Sequence, residues 1–243
     1  MRTNDVARVT VTRALLAAGL VVGPLTCTVF TVEGRRRSGY DPARHPVSAL
    51  SLGGRGWVQQ ANFFASGALT LLTAAGLLRS GRDGSGRCPP VGPLAVAAAG
   101  AGLIGAGVFP TDPVPGYPEA SDPPTGVRTR ALTRTGTLHV LSAVPFFVGL
   151  PAASIDRAFR AWQDGRRTEA TAQAGFAAVG LVASATAGAA FGGRTNLEET
   201  GGRWQRISVA AGFAGLAGIS AHALALVGPT RFDGSPIRIV RPT

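Results

Sequence analysis

The sequence predicts an all-α fold, an integral membrane bundle of six transmembrane helices, on three observations. Of 243 residues, 45% are hydrophobic and only 15% charged, against roughly 25% charged in soluble globular domains. Six apolar stretches each approach the ~20 residues that cross a hydrocarbon core. Of the 34 Gly, 18 fall inside those stretches, whereas in a disordered chain they would sit in polar tracts.

The first stretch, 14–32, follows a basic tail, 1–13. That start mimics a secretory leader, and Leu25-Thr26-Cys27 resembles a lipoprotein cleavage box. Thr26 is large for a cleavage position, and the apolar run continues to Val32 as a retained span does. Stretches 61–78 and 91–110 follow, then 138–155. Pro24, Pro145 and Pro151 lie within spans, where neighbouring helices satisfy the freed carbonyls, so kinks are expected. The last two stretches are 172–192 and 207–228. Gly102, Gly105, Gly188, Gly192, Gly212, Gly215 and Gly218 are small residues of the kind that lets helices approach in lipid. One domain, 14–228, thus lies between the tail 1–13 and a C-terminal tail, 229–243.

Six spans put both termini on one side. Arg occurs 13 times on that side and 11 on the other, a slight bias that points the termini to the cytoplasm of a multi-pass protein of the cell membrane. Arg35, Arg36 and Arg37 pull the other way.

Several chemistries lack their residues. The net charge of +11 comes from 24 basic and 13 acidic residues, but the arginines flank spans and form no stripe with interleaved aromatics, so nucleic acid is not an expected partner. All the basic residues are Arg, which removes Schiff-base attachment of retinal or pyridoxal phosphate. Cys27 and Cys88 are too few for a disulfide framework or a zinc site. His139 and His222 differ in depth by roughly 10 Å or more at 1.5 Å per residue, too far for one haem iron. No Asp-rich pair is present to hold magnesium on a diphosphate, and nucleophile-elbow, zinc-protease and P-loop motifs are missing. No metal and no cofactor is expected.

Polar residues gather on the face shared by connections one, three and five, which carry Tyr40, His45, Ser48, Trp57, Thr111, Asp112, Tyr117, Glu198, Glu199, Gln205 and Arg206. His139 lies about one turn inside the fourth span, with Gln60 and Asn62 at matching depth on the second. Charged groups within a span cost about 2.5–3.5 kcal/mol, so a pocket or an ion-pair network is expected. In the first reading, Asp112 serves as acid, His139 as base or orienter and His45 as a further titratable group. Phe63, Phe109, Phe146, Phe147, Trp57 and Tyr117 then line a pocket for a lipid or other apolar small molecule, with Tyr40, Ser48, Gln60, Asn62 and Arg206 as binding residues. Arg206 offers planar donors to Asp112 or to an anionic guest. In the second reading Asp112 caps a loop and pairs with Arg206, His139 makes an interhelical hydrogen bond, and Trp57 belongs to the interfacial belt.

Five segments carry a resemblance. They are Tyr-Asp-Pro-Ala-Arg-His-Pro-Val-Ser-Ala-Leu at 40–50, Gly-Trp-Val-Gln-Gln-Ala-Asn-Phe at 56–63, and Phe-Pro-Thr-Asp-Pro at 109–113 with Gly-Tyr-Pro at 116–118. Leu-His-Val-Leu-Ser at 138–142 and Gln205-Arg206 complete the set. In this order they resemble the bacterial integral membrane family catalogued as domain of unknown function 998, over roughly 40–228. The resemblance implies a six-helix membrane bundle and brings no catalytic residue with it. Two functional expectations stand side by side. One is an enzyme transforming a lipid-like or isoprenoid-like substrate by acid/base catalysis, as isomerase or cyclase. The other is a non-catalytic sensor, transporter or lipid-binding protein. Oligomeric state is not legible.

Overall fold

A computed structural model describes residues 3–82, 91–118, 132–194 and 196–227. The predicted C-terminal tail and Cys88 lie outside the described residues. Six helices form: α1 (Thr3–Arg35), α2 (Gly56–Arg82), α3 (Val91–Val108), α4 (Arg134–Gln163), α5 (Arg167–Phe191) and α6 (Gly201–Leu226). All six are long and apolar enough to cross a membrane. Each predicted apolar stretch falls on one helix, and the ends differ for local reasons. Helix α1 starts at Thr3, through residues assigned above to the tail, with Asp5 placing a negative charge in its first turn, where the helix dipole favours it. Helix α3 stops at Val108, ahead of Pro110, which restricts the residue before it to extended backbone.

Each helix packs on its neighbours in sequence, α6 returns to α1, and α4 also touches α6, so the six close into a ring. The two ends of the described chain meet: Arg13 Nη1 donates to the carbonyls of Leu224 (3.1 Å) and Val227 (2.5 Å). Pro24 lies inside α1, and Pro145 and Pro151 inside α4, without ending either helix.

Small residues set the closest approach, as Gly149 shows. A Cβ there would lie 2.5 Å from the Ala95 carbonyl oxygen, so α3 and α4 come nearer than any side chain allows. Gly188 behaves otherwise, with open space around it. Outward-facing apolar side chains such as Val182, Leu226 and Phe159 are more than half exposed, as expected of a surface that meets hydrocarbon.

Candidate functional site

Connection one folds over the start of α6. Its backbone turns through Tyr40–Pro46 into a short 3-10 turn, Val47–Ser51. Helix α6 begins with N–H groups that need acceptors. The Gly202 N–H donates to the Arg44 carbonyl (3.1 Å) and the Arg203 N–H to the Ala43 carbonyl (2.8 Å). Only glycine fits at 202, because a Cβ would lie 2.3 Å from the His45 oxygen and 2.7 Å from that of Pro42.

Arg206 ties this contact together. Its Nη1 donates to the carbonyls of Pro42 (2.6 Å), His45 (3.2 Å) and Gly202 (2.9 Å), and its Nη2 to the Tyr40 hydroxyl. The expected partner Asp112 is not among these acceptors. Arg206 opens α6 beside connection one, whereas Asp112 is held at the start of α4. One residue earlier, Gln205 Oε1 accepts the Val47 N–H at 2.7 Å.

His45 is buried with both ring nitrogens engaged. Nδ1 accepts the Asp41 N–H (3.0 Å), which leaves the proton of the neutral ring on Nε2, donated to the Pro115 carbonyl (3.2 Å). The rings of His45, Tyr40 and Tyr117 pack tilted or edge-to-face with centroids 5.2–5.7 Å apart, which joins connection three to connection one. Burial pulls the His45 pKa down and pushes the Tyr40 hydroxyl up, against the pull of Arg206. A second arginine works alongside. Arg37 donates to the carbonyls of Leu50 and Leu52 (2.9 Å each) and to the Tyr117 hydroxyl (3.4 Å). Its Nε meets Glu33 at 2.8 Å, and Arg55 reaches the same carboxylate at 2.9 Å.

Asp112 braces Thr133, the N-cap residue of α4. Its two oxygens accept the Thr133 N–H (2.8 Å) and hydroxyl (2.6 Å), and Thr133 Oγ1 in turn accepts the Gly136 N–H (3.0 Å) at the start of α4. One turn further on, His139 donates Nδ1–H to the Phe109 carbonyl (2.6 Å). In the neutral ring Nε2 then carries the lone pair.

Beneath the cap lies an apolar slot of about 50 Å³, walled by Phe30, Phe63, Leu103, Phe146 and Phe213 from five of the helices. Its polar lining comes from Thr26, Ser48, His139 and Gln205. Of the residues expected to form a pocket, Ser48, Phe63, Phe146, Phe147 and His139 therefore meet. Tyr40, His45, Tyr117 and Arg206 build the cap above it, Phe109 contributes its carbonyl, and Asp112 is not in the slot wall. Trp57 is 65% exposed and stands apart, as an interfacial residue does. Asn62 is buried, whereas Gln60 is only half-buried and its neighbour Gln59 is 0% exposed. One step along a helix turns a side chain by about 100°, so the choice between adjacent glutamines needed the packing. His222 lies at the opposite end of the bundle, where Arg166 Nη1 donates to its Nδ1 (2.7 Å). Among the described residues no group of three metal-ligating side chains occurs.

Six spans, five of them around a narrow slot that a hydrogen-bonded cap closes on one face, define a multi-pass integral membrane protein. No curated protein and no solved structure matches the chain. The chain belongs to the family described as "Protein of unknown function (DUF998)", which matches residues 20–222.

Proposed function

We propose that this membrane protein binds the end of one aliphatic chain of a lipid-like molecule, with His139 Nε2 accepting a hydrogen bond from the guest's polar group. The observation that carries the reading is the slot itself: five apolar walls and one imidazole with its Nδ1–H committed to Phe109. An apolar cavity with a few placed polar groups is the usual form of a small-molecule site. About 50 Å³ takes a few water-sized units, and so favours a chain end over an isoprenoid folded for cyclisation. The binding reading is therefore preferred to acid/base catalysis. In it, His45 holds the cap and Asp112 the start of α4 through the bonds described above, and neither transfers a proton.

The test is to extract lipid from the purified protein and from an Ala106→Trp variant, Ala106 being a residue of the slot wall from which an indole would occupy the space. Mass spectrometry should find one chain-bearing amphiphile equimolar with wild-type protein and lost from the folded variant. Equal lipid content in both would refute the proposal.

A further inference from the structure

Helices α1 and α2 face each other along a polar seam that shares only Thr26 with the slot. On α2, Gln59, Asn62, Ser66, Thr70 and Thr73 recur at steps of three and four residues, and all five are buried, four of them completely. On α1, Thr12, Gly19, Thr26 and Glu33 recur at steps of seven and are buried too. The two rows run antiparallel in register. Arg55 meets Glu33 at 2.9 Å. Asn62 Nδ2 donates to the Thr26 carbonyl at 3.3 Å, and Thr26 and Ser66 share a 2.6 Å hydroxyl contact. A Cβ on Gly19 would touch both Thr73 and Ser220 of α6, and Arg79 Nε donates to Thr12 at 3.3 Å. From Gln59 to Arg79 is about 30 Å at 1.5 Å per residue, the thickness of a hydrocarbon core.

Small hydroxyls that bond their own helix explain part of this row. Thr26, Thr70 and Thr73 each donate to a carbonyl four residues back, and such residues favour close helix packing in lipid. Three atoms are left over. Gln59 Nε2, Asn62 Oδ1 and Ser220 Oγ are buried without a hydrogen-bond partner among the described residues, on side chains 0%, 3% and 0% exposed. The Thr26 carbonyl fixes the Asn62 amide, since a reversed amide would set two acceptors against each other. One orphan is a donor, one an acceptor and one is both. Water is the small molecule that serves all three, and buried water ordinarily satisfies such groups.

We infer that α1, α2 and α6 enclose a hydrated seam that crosses the apolar core, with water held at Gln59, Asn62 and Ser220. At one mouth the two guanidinium groups of Arg37 and Arg55 outnumber the Glu33 carboxylate they bind, at the other stand Arg13 and Arg79, so cations are disfavoured, and the neutral hydroxyls and amides between the mouths suit a neutral occupant. Polar residues at membrane depth characteristically line such paths.

Hydrogen–deuterium exchange of the full chain in lipid nanodiscs tests this inference, with D₂O as the probe. Amides of residues 59–73 should exchange an order of magnitude faster than those of 172–187 in α5, which lies against lipid. Ser220→Ala should slow exchange around Thr73 without raising Tm, because the hydroxyl it removes is watered. Three results would overturn the inference, the first two being protection of 59–73 equal to that of α5, or exchange confined to the first two turns at Gln59 and Asn62. A third is a Tm increase in Ser220→Ala with unchanged exchange, since deleting an unpaired dry hydroxyl stabilises. The outcome is read on α2 whether or not the slot holds a chain.

Discussion

Asp112 shows how one side chain can govern the start of a span. Its carboxylate holds both donors of Thr133, and Thr133 caps α4. Thr133 stays in place when Asp112 is changed, so what is lost is a pair of hydrogen bonds to a carboxylate, worth about 1–3 kcal/mol. Asp112→Ala should therefore lower the melting temperature by that equivalent while lipid retention is kept, and Asp112→Asn, which retains one acceptor, should lower it less. Melting curves with lipid analysis check both. His45 carries a pH prediction. Burial lowers its pKa below the ordinary 6.5, so above that value both folded and unfolded chains carry a neutral ring and this contribution to stability is complete. As pH falls below 6.5 the unfolded chain takes up the proton first, and stability declines until the folded-state pKa is passed. Melting temperature should fall between neutral pH and mild acid in wild type, with a shallower slope in His45→Gln. The fork of Arg206 was legible as residue chemistry. Its acceptors were not, because they are backbone carbonyls of Pro42, His45 and Gly202, and a carbonyl's position is a property of the folded loop.

At the scale of elements, the start of α6 and connection one form a single unit. Gly202 is the point of contact, with carbonyl oxygens where a Cβ would stand. Gly202→Ala should destabilise the protein by about 1–3 kcal/mol through overpacking and speed limited proteolysis within 40–46, which peptide mapping detects. Helix number was readable because apolar length is a one-dimensional property. The meeting of connections one and three on one face followed from counting spans, and the ring contacts of Tyr40, His45 and Tyr117 agree with it. Glu33 was overlooked. It sits near the end of an apolar run, and its burial depends on Arg37 and Arg55 arriving from the same side, which periodicity does not report. The amide pair Gln59 and Asn62 was half-seen, one register position away.

Taken as a whole molecule, the ring of six helices leaves its interior unevenly filled. The α1/α2 side is polar along its length, the slot between α1, α2, α3, α4 and α6 is apolar, and Arg37 and Arg206 close one face by binding backbone oxygen. Such a division suits a protein that receives an amphiphile from the bilayer and holds its chain beneath a fixed cap. The most direct measurement of that claim is photolabelling in nanodiscs with a long-chain alcohol bearing a terminal diazirine, followed by peptide mapping. Labels should fall on Phe63, Leu103, Phe146 and Phe213, and excess unlabelled alcohol should remove them. Labels confined to lipid-facing positions such as Phe159 and Val182, undiminished by competitor, would contradict the account.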